Sequence, residues 1–282
     1  MLKNYILTAL RSLRKQKSFT LINVTGLGIG MAIALMTLLF VTNHLSFDRF
    51  HKNKNDIYRL VLKTEFPEQG TVTAAEMPAA IGPLLNGQIP QIRSQVRFSV
   101  PYSGYFTVED KNVESENLAY ADSTVFDVFT FPLLLGNPEK ALREPFAVVL
   151  SESLAGKLFN SPETAMGKSI TLNNRDDLLV TGIMKNVPLN SHLQFDALVS
   201  FASLYQDPEL FLDWNGGMAY YTYFHLNKDP DILSLENRIN TIAEAQNKDT
   251  GADWSFFLQP LPEVHLNTNL TYTIGTHTSP TS

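Results

Sequence analysis

Apolar and polar positions divide the chain into a short uniform stretch and a long patterned one. From Phe19 to Val41 the sequence FTLINVTGLGIGMAIALMTLLFV contains no charged residue. As a helix these 23 residues extend ~34 Å at ~1.5 Å per residue, enough to cross a hydrocarbon core of ~30 Å. Only a helix pairs its own backbone groups in lipid, so the run predicts a transmembrane helix over 19–41. Ahead of it, Leu2, Ile6, Leu10 and Leu13 recur at helical spacing, with Arg11, Arg14 and Lys15 off that face. This predicts an amphipathic helix in the headgroup layer. A cleaved signal peptide is the competing reading. Its apolar region is shorter, ~7–15 residues, and ends at a small-x-small site, whereas TNHLSFDRF follows Val41. An uncleaved anchor fits better. Leu133–Leu135 and Val148–Leu150 are too short to span.

Beyond residue 46 the periods alternate. Asp56–Thr64 puts Tyr58, Leu60 and Leu62 on one face of a strand. Met77, Ile81 and Leu85 predict a helix with Pro83 inside it. Gln95–Val108 is strand material broken at Pro101 and Gly104. Val148–Leu150 predicts a strand running into Ser151 as N-cap, with Leu154, Ala155, Leu158 and Phe159 as the apolar face of the next helix. Ile170–Leu172 and Leu178–Ile183 flank the polar turn NNRDD, a hairpin pattern. Leu193–Phe201 and Tyr220–Leu226 read as strands. Asp229 and Pro230 read as an N-cap and N1 proline, followed by Ile232, Leu235, Ile239 and Ile242 at helical period. Trp254–Leu261 reads as a closing strand. The order is strand–helix–strand, a stretch of short strands, then strand–helix–strand, which predicts an α+β lobe interrupted by a β-rich one. The texture changes near Asn117 and reverts near Pro188. The expected plan is a basic amphipathic segment (1–18), a membrane helix (19–41), an α+β lobe (46–116 and 189–266), an inserted β-rich lobe (117–188) and a polar tail (267–282). Each lobe is expected to bury its own core.

Composition and charge sharpen this picture. Of 282 residues, 44% are hydrophobic and 18% charged, which excludes a disordered chain. A net charge of −6 argues against nucleic-acid binding. The charge is uneven. Lys3, Arg11, Arg14, Lys15 and Lys17 precede the apolar run with no acid among them. With those five set aside, 17 bases face all 28 acids, a net charge of −11. The basic flank orients the helix with its N-terminus in the cytoplasm and everything after residue 45 outside. Within the run Gly26 and Gly30 form GxxxG, and Gly28 with Ala32 is small-xxx-small, a pattern that lets a partner helix approach closely.

Candidate chemistry is sparse. The absence of cysteine excludes disulfides, iron–sulfur clusters, thiolate zinc sites and cysteine nucleophiles. Gly167-Lys168-Ser169 resembles the end of a phosphate-binding loop, but Pro162 stands where the first glycine belongs, so it reads as an ordinary turn. None of the six histidines falls at HExxH or other close metal spacing. His225 reads as a sheet-surface histidine. There is no GxSxG. Asp176 and Asp177, adjacent in a turn, point apart. Trp214, Tyr220, Tyr221 and Tyr223 read as an aromatic core cluster. No catalytic, cofactor or metal residue is assigned, and the chain does not read as an enzyme.

The segment ALRSLRKQKSFTLINVTGLGIGMA, running into one membrane helix and an α+β body, resembles the N-terminal part of MacB/FtsX-like ABC transporter permeases. ADSTVFDVFTFPLLLGNPEKALREPFAVVLSESLAGKLF, AMGKSITL and LLVTGIMKNVPLNSHLQFDALVS are similar, in that order, to the MacB-like periplasmic core domain. The resemblance covers residues 1 to about 266. It implies a porter-like α+β lobe with a β-rich insert, in a bacterial inner-membrane protein with its bulk in the periplasm. It also implies mechanical transmission: ATP binds a separate cytoplasmic subunit, membrane helices draw together, and the periplasmic domain carries the motion outward for efflux or other work. The implied partners are that ATPase subunit, other permease helices or a second copy, and a periplasmic partner; no cofactor is expected on this chain. Family permeases continue with at least three further membrane helices, whereas this sequence ends in NLTYTIGTHTSPTS. The expectation is therefore a fragment of a longer permease or a reduced member. The alternative reading is a membrane-tethered extracytoplasmic binding or adaptor domain without ATP coupling.

Overall fold

The computed structural model describes residues 2–66, 70–248, 253–266 and 270. Two compact units divide between Ser46 and Phe47. The first consists of helices α1 (Leu2–Lys15) and α2 (Lys17–Leu45). They meet at Gln16, where the Thr20 hydroxyl donates to the Leu13 carbonyl at 2.9 Å. At 29 residues α2 is ~44 Å long, exceeding the expected 19–41 at both ends. Thr37 and Thr42 return their hydroxyls to the carbonyls of Ile33 and Leu38, so these polar side chains cost the apolar surface little. None of its residues is buried. A helix apolar all round and uncovered by protein has the character of a membrane span rather than of a core helix.

The second unit opens with β1 (Ile57–Phe66), β2 (Gly70–Ala74), β3 (Glu76–Met77), α3 (Ile81–Gln88) and β4 (Ile92–Ser99). It continues with β5 (Tyr102–Val108), β6 (Lys111–Ala121), α4 (Val125–Val128), β7 (Leu133–Gly136), β8 (Ala147–Ser151) and α5 (Glu152–Phe159). Then come α6 (Pro162–Ala165), β9 (Ser169–Leu172), β10 (Asp176–Met184) and β11 (Ala197–Ser200). It closes with β12 (Tyr220–Leu226), α7 (Ile232–Asn247) and β13 (Trp254–Pro260).

Two assemblies emerge from the strand pairing. β4, β12, β1 and β13 lie side by side, all antiparallel, with α3 joining β1 to β4 and α7 joining β12 to β13. This is the split β-α-β arrangement. The period of two sorts its side chains. Leu60, Leu62, Phe224 and Leu226 pack with Leu85 of α3 and Ile239 of α7. Ile57, Val61, Tyr221 and Tyr223 belong to the opposite face. The other assembly is a ring: β5 pairs β6, β6 pairs β11, β11 pairs β8, β8 pairs β10, β10 pairs β9, and β9 returns to β5. Closure leaves these six strands no long free edge. Phe106, Leu118, Val148, Leu150, Leu172 and Val180 share its core with Leu154 and Leu158 of α5. The alternate residues Ala119, Val149 and Leu198 instead join the core beneath the four-stranded sheet. That core therefore serves both assemblies. β4 and β6 also meet directly, at Phe98 and Ala121.

An α+β fold with one N-terminal apolar helix is thus present, but pairing draws the insert differently. Residue 117 falls inside β6, and residue 188 precedes the barrel strand β11. By connectivity the insert runs from after β4 to before β12. β5 and β6 are strands of 7 and 11 residues, which is why their texture matched the sheet before them. Four local expectations also change. Gly104 marks a register irregularity within β5 rather than its end. The strand expected over 193–201 is only β11, with a 3-10 turn from Phe201 to Gln206. The N-cap of α7 is Asp231, whose carboxylate accepts from Ser234 N–H at 3.2 Å, while Asp229 takes a left-handed φ of 52°. His225 is buried, because β12 has protein on both faces. The four aromatics are buried but divided: Tyr221 and Tyr223 lie beneath the sheet, Trp214 on the helix side, and Tyr220 beside Phe201.

Candidate functional site

Lys3, Arg11, Arg14 and Lys15 fall within α1, and Lys17 opens α2. The described side chains of Arg11, Arg14, Lys15 and Lys17 are exposed. Gly26, Gly28 and Gly30 have open space where a Cβ would stand, and Ala32 is exposed with them. The polar tail, apart from Leu270, lies outside the described residues.

A cluster that sequence reasoning missed begins three residues after α2 ends at Leu45. Asp48 is completely buried with a left-handed φ of 57°. Its N–H donates to the Asn190 carbonyl at 2.9 Å. Its Oδ1 accepts from the Ser191 hydroxyl at 3.2 Å and from the His192 N–H at 3.1 Å. Its Oδ2 stands 2.8 Å from His192 Nδ1. The other ring nitrogen, His192 Nε2, lies 2.7 Å from the Tyr223 hydroxyl. Tyr223 in turn pairs with Arg59, fully buried on β1, which donates through Nε and Nη2 to Gln259 Oε1 on β13 at 3.2 and 2.7 Å. An acid and a base are thus bridged by a ring and a phenol, so neither charge is left uncompensated in the core.

The same segment is held from a second side. Thr130 N–H donates to His51 Nδ1 at 3.0 Å, Lys52 N–H donates to the Thr130 hydroxyl at 2.9 Å, and Asn53 reaches the Asp127 carbonyl at 3.4 Å. Phe50, Phe129 and Phe131 surround the His51 ring. Electrostatics follow the geometry. Burial alone would raise the Asp48 carboxyl, but the charge and hydrogen bonds of His192, with His51 behind, hold it below its usual range. Burial pushes His51 down to about 4, an effect Asp48 opposes and His192 reinforces. Burial lowers the Arg59 guanidinium and raises the Tyr223 phenol.

Acid, histidine and hydroxyl in line resemble a nucleophile relay, but Tyr223 is wholly enclosed, with Phe98 and Phe129 edge-on to its ring. Its hydroxyl meets protein, not substrate. The arrangement is suited to holding the segment after α2 against β12, β1 and the 127–130 turn. Its signal in the sequence was slight. Asp48 and His51 are three apart, but His192 lies 144 residues from Asp48.

Two further features lie in the insert and at its root. Arg97 on β4 grips Asp122 with two parallel bonds, Nε to Oδ2 at 2.9 Å and Nη2 to Oδ1 at 2.7 Å. Its remaining nitrogen donates to the Ala79 carbonyl and Tyr205, and its carbon sits 3.9 Å from the Phe201 ring centre. On the barrel a cleft of about 410 Å³ is lined by the stacked Tyr102 and Tyr120, Phe146, Leu204 and Leu210, with Arg175 and Asp207 paired at 2.7 Å.

The MacB-like periplasmic core domain model matches residues 20–242. A domain assigned to a permease protein from Porphyromonas gingivalis superposes with a TM-score of 0.64 at 20% identity, covering 79% of this chain and 95% of that one. The periplasmic region of MacB from Actinobacillus actinomycetemcomitans gives 0.53 at 15% identity, covering 76% and 92%. The extracellular domain of the noncanonic ABC-type transporter YknZ from Gram-positive bacteria gives 0.51 at 17%, covering 72% and 99%. At these identities the three structures speak to fold. No curated protein sequence matches the chain. The family match takes in α2 from Thr20 onward, β1, β4 and β12 of the split sheet and the whole barrel, and on its strength the chain belongs to the MacB-like periplasmic core domain family of ABC-type permeases.

Proposed function

We propose that the chain is a membrane-anchored permease subunit, or the N-terminal part of one, in an ABC transporter complex. In this reading α2 spans a bacterial inner membrane, with Lys3, Arg11, Arg14, Lys15 and Lys17 on the cytoplasmic side and the body outside. ATP is handled by a separate cytoplasmic subunit. Gly26, Gly28, Gly30 and Ala32 offer α2 a close seat for another permease helix or a second copy. The body passes motion on to an extracytoplasmic partner or to efflux. One observation carries the reading: the uncovered apolar helix ends at Leu45, and Asp48 is already built into the core. Asp48, three residues beyond the end of α2, is bonded through both backbone and side chain. In this reading a displacement of α2 is passed along the chain to Asp48, and from it to His192, Tyr223 and Arg59.

Orientation is tested directly, because the chain has no native cysteine. Single cysteines placed at Ser18 or Ser103 are treated, in intact cells, with a maleimide that cannot cross the membrane. Labelling at position 103 and protection at position 18 is the expected result. The reverse pattern would overturn the assignment.

A further inference from the structure

We propose that residues 47–54 form a proton-released latch: protonation of His51 frees residues 51–54 from the 127–131 turn and leaves the anchor that follows α2 held on the Asp48 side alone.

The argument starts from what each atom of the cluster already does. His51 Nδ1 accepts the Thr130 N–H at 3.0 Å, so the ring proton resides on Nε2. A second proton would have to enter at Nδ1. Two donors would then face one another across 3.0 Å, and the bond tying residue 51 to residue 130 would be lost. The imidazolium would also need a counter-charge, and the nearest one is occupied. Asp48 Oδ1 already takes the Ser191 hydroxyl and the His192 N–H, and Oδ2 stands 2.8 Å from His192 Nδ1. Asp48 Oδ1 stands 3.9 Å from His51 Nε2, beyond hydrogen-bond reach. From the turn the ring meets Phe129 and Phe131, and from its own segment Phe50, none of which solvates a cation as water does. The ionisable groups around it are Asp48 on the same segment, His192 from the 188–192 segment, and, behind them, Tyr223 on β12 and Arg59 on β1. His192 opposes a new positive charge, and Asp48 is shared among donors. The closed latch thus has no place for the charged ring, whereas water does.

The shift of His51 agrees in direction with this geometry: burial first, then His192, lower it to about 4 from 6.5. The linkage sign follows. Between those values an opened segment binds a proton that the closed one refuses, so opening becomes easier as pH falls from 6.5 toward 4. The 188–192 side behaves differently, since Asp48 stays ionised in that range and keeps its donors. Release is therefore confined to residues 51–54 and 127–131, while Asp48 stays bonded. Its consequence for transport rests on the permease reading above; the opening itself does not.

The test is hydrogen exchange on the full chain in lipid nanodiscs at pH 7 and pH 5, corrected for intrinsic exchange rates and with no ATPase present. Opening of amides in 51–54 and 127–131 is expected to rise roughly 20-fold at the lower pH, from the two His51 values. β13, which meets the network through Gln259 at its far end from His51, should not follow. In His51→Gln, whose side-chain carbonyl can take the Thr130 N–H but does not titrate, the rise should vanish. A pH-independent segment in the wild type, an equal rise in β13, or a rise kept by H51Q would overturn the latch. Should H51Q lose protection throughout the body at pH 7, the wild-type comparison of the two regions alone decides. Because no ATPase is involved, a negative result leaves the labelling test of orientation untouched, and the converse holds.

Discussion

Asp48 shows how much one residue can be asked to hold. Its left-handed φ is tolerated by short polar side chains better than by most others. Its carboxylate gathers Ser191 and both the N–H and ring of His192. Asp48→Ala leaves those donors in the core without an acceptor, and a loss of about 3 kcal/mol is expected in thermal or denaturant unfolding of the body. Asp48→Asn, which suits the backbone and keeps an acceptor oxygen, should lose less. A wild-type melting curve for D48A would mean that the cluster holds nothing. Little of this was legible beforehand. The basic head and the glycines are local features and could be read directly. A cluster assembled from residues 48, 59, 192 and 223 exists only once the sheet has formed, so no spacing rule discloses it.

Elements were legible where one local interaction decides them. Ser151 was expected to cap α5, and its hydroxyl accepts the Leu154 N–H at 3.2 Å. Ser151→Ala should cost about 1 kcal/mol, read as a lower urea midpoint at unchanged slope, and Ser151→Asp should recover most of it. No shift in S151A would mean that packing of Leu154 and Leu158 alone fixes the helix. The β9–β10 hairpin was equally plain. Asn173 and Asn174, at φ of 51° and 54°, supply a left-handed pair at the centre of the turn that Arg175 N–H closes on the Leu172 carbonyl, within a three-residue loop between Leu172 and its partner Asp176. Failures came where two candidates compete. Asp229 and Asp231 both suit an N-cap, and the outcome depends on which carboxylate reaches a free N–H. At 193–196 an apolar alternation continues, but Asp196 N–H bonds to Asn117 and the regular pairing begins only at Ala197.

Across the whole molecule the α+β class and the presence of an insert were legible, because helices flanked by strands leave a strong period. The insert's limits were not, since β5 and β6 have the same texture as the sheet strands. Excising 117–188 therefore removes part of β6 together with β8, β9 and β10. It also strips Val149 and Met184 from the core shared with Phe98, Tyr221 and Tyr223. The remaining body is expected to be protease-sensitive and to melt without a cooperative transition. A sharp transition by circular dichroism would restore two independent lobes. Removal from residue 100 to residue 219 respects every pairing but the one at Phe98, yet it too uncovers the face carrying Tyr221 and Tyr223.

The place of β12 in the sheet also governs the order in which the chain can assemble. It lies between β1 and β4, which do not pair with each other, and it is made more than a hundred residues after β4 ends. While a nascent chain emerges, β1 and β4 have no common neighbour until residues 220–226 appear. Every barrel strand has by then been made, from residue 102 to residue 200. Synthesis thus lets the insert close before its host. Arg59 waits longer still, since Gln259 arrives 200 residues later and finishes the anchor for a helix that has been in place from the start.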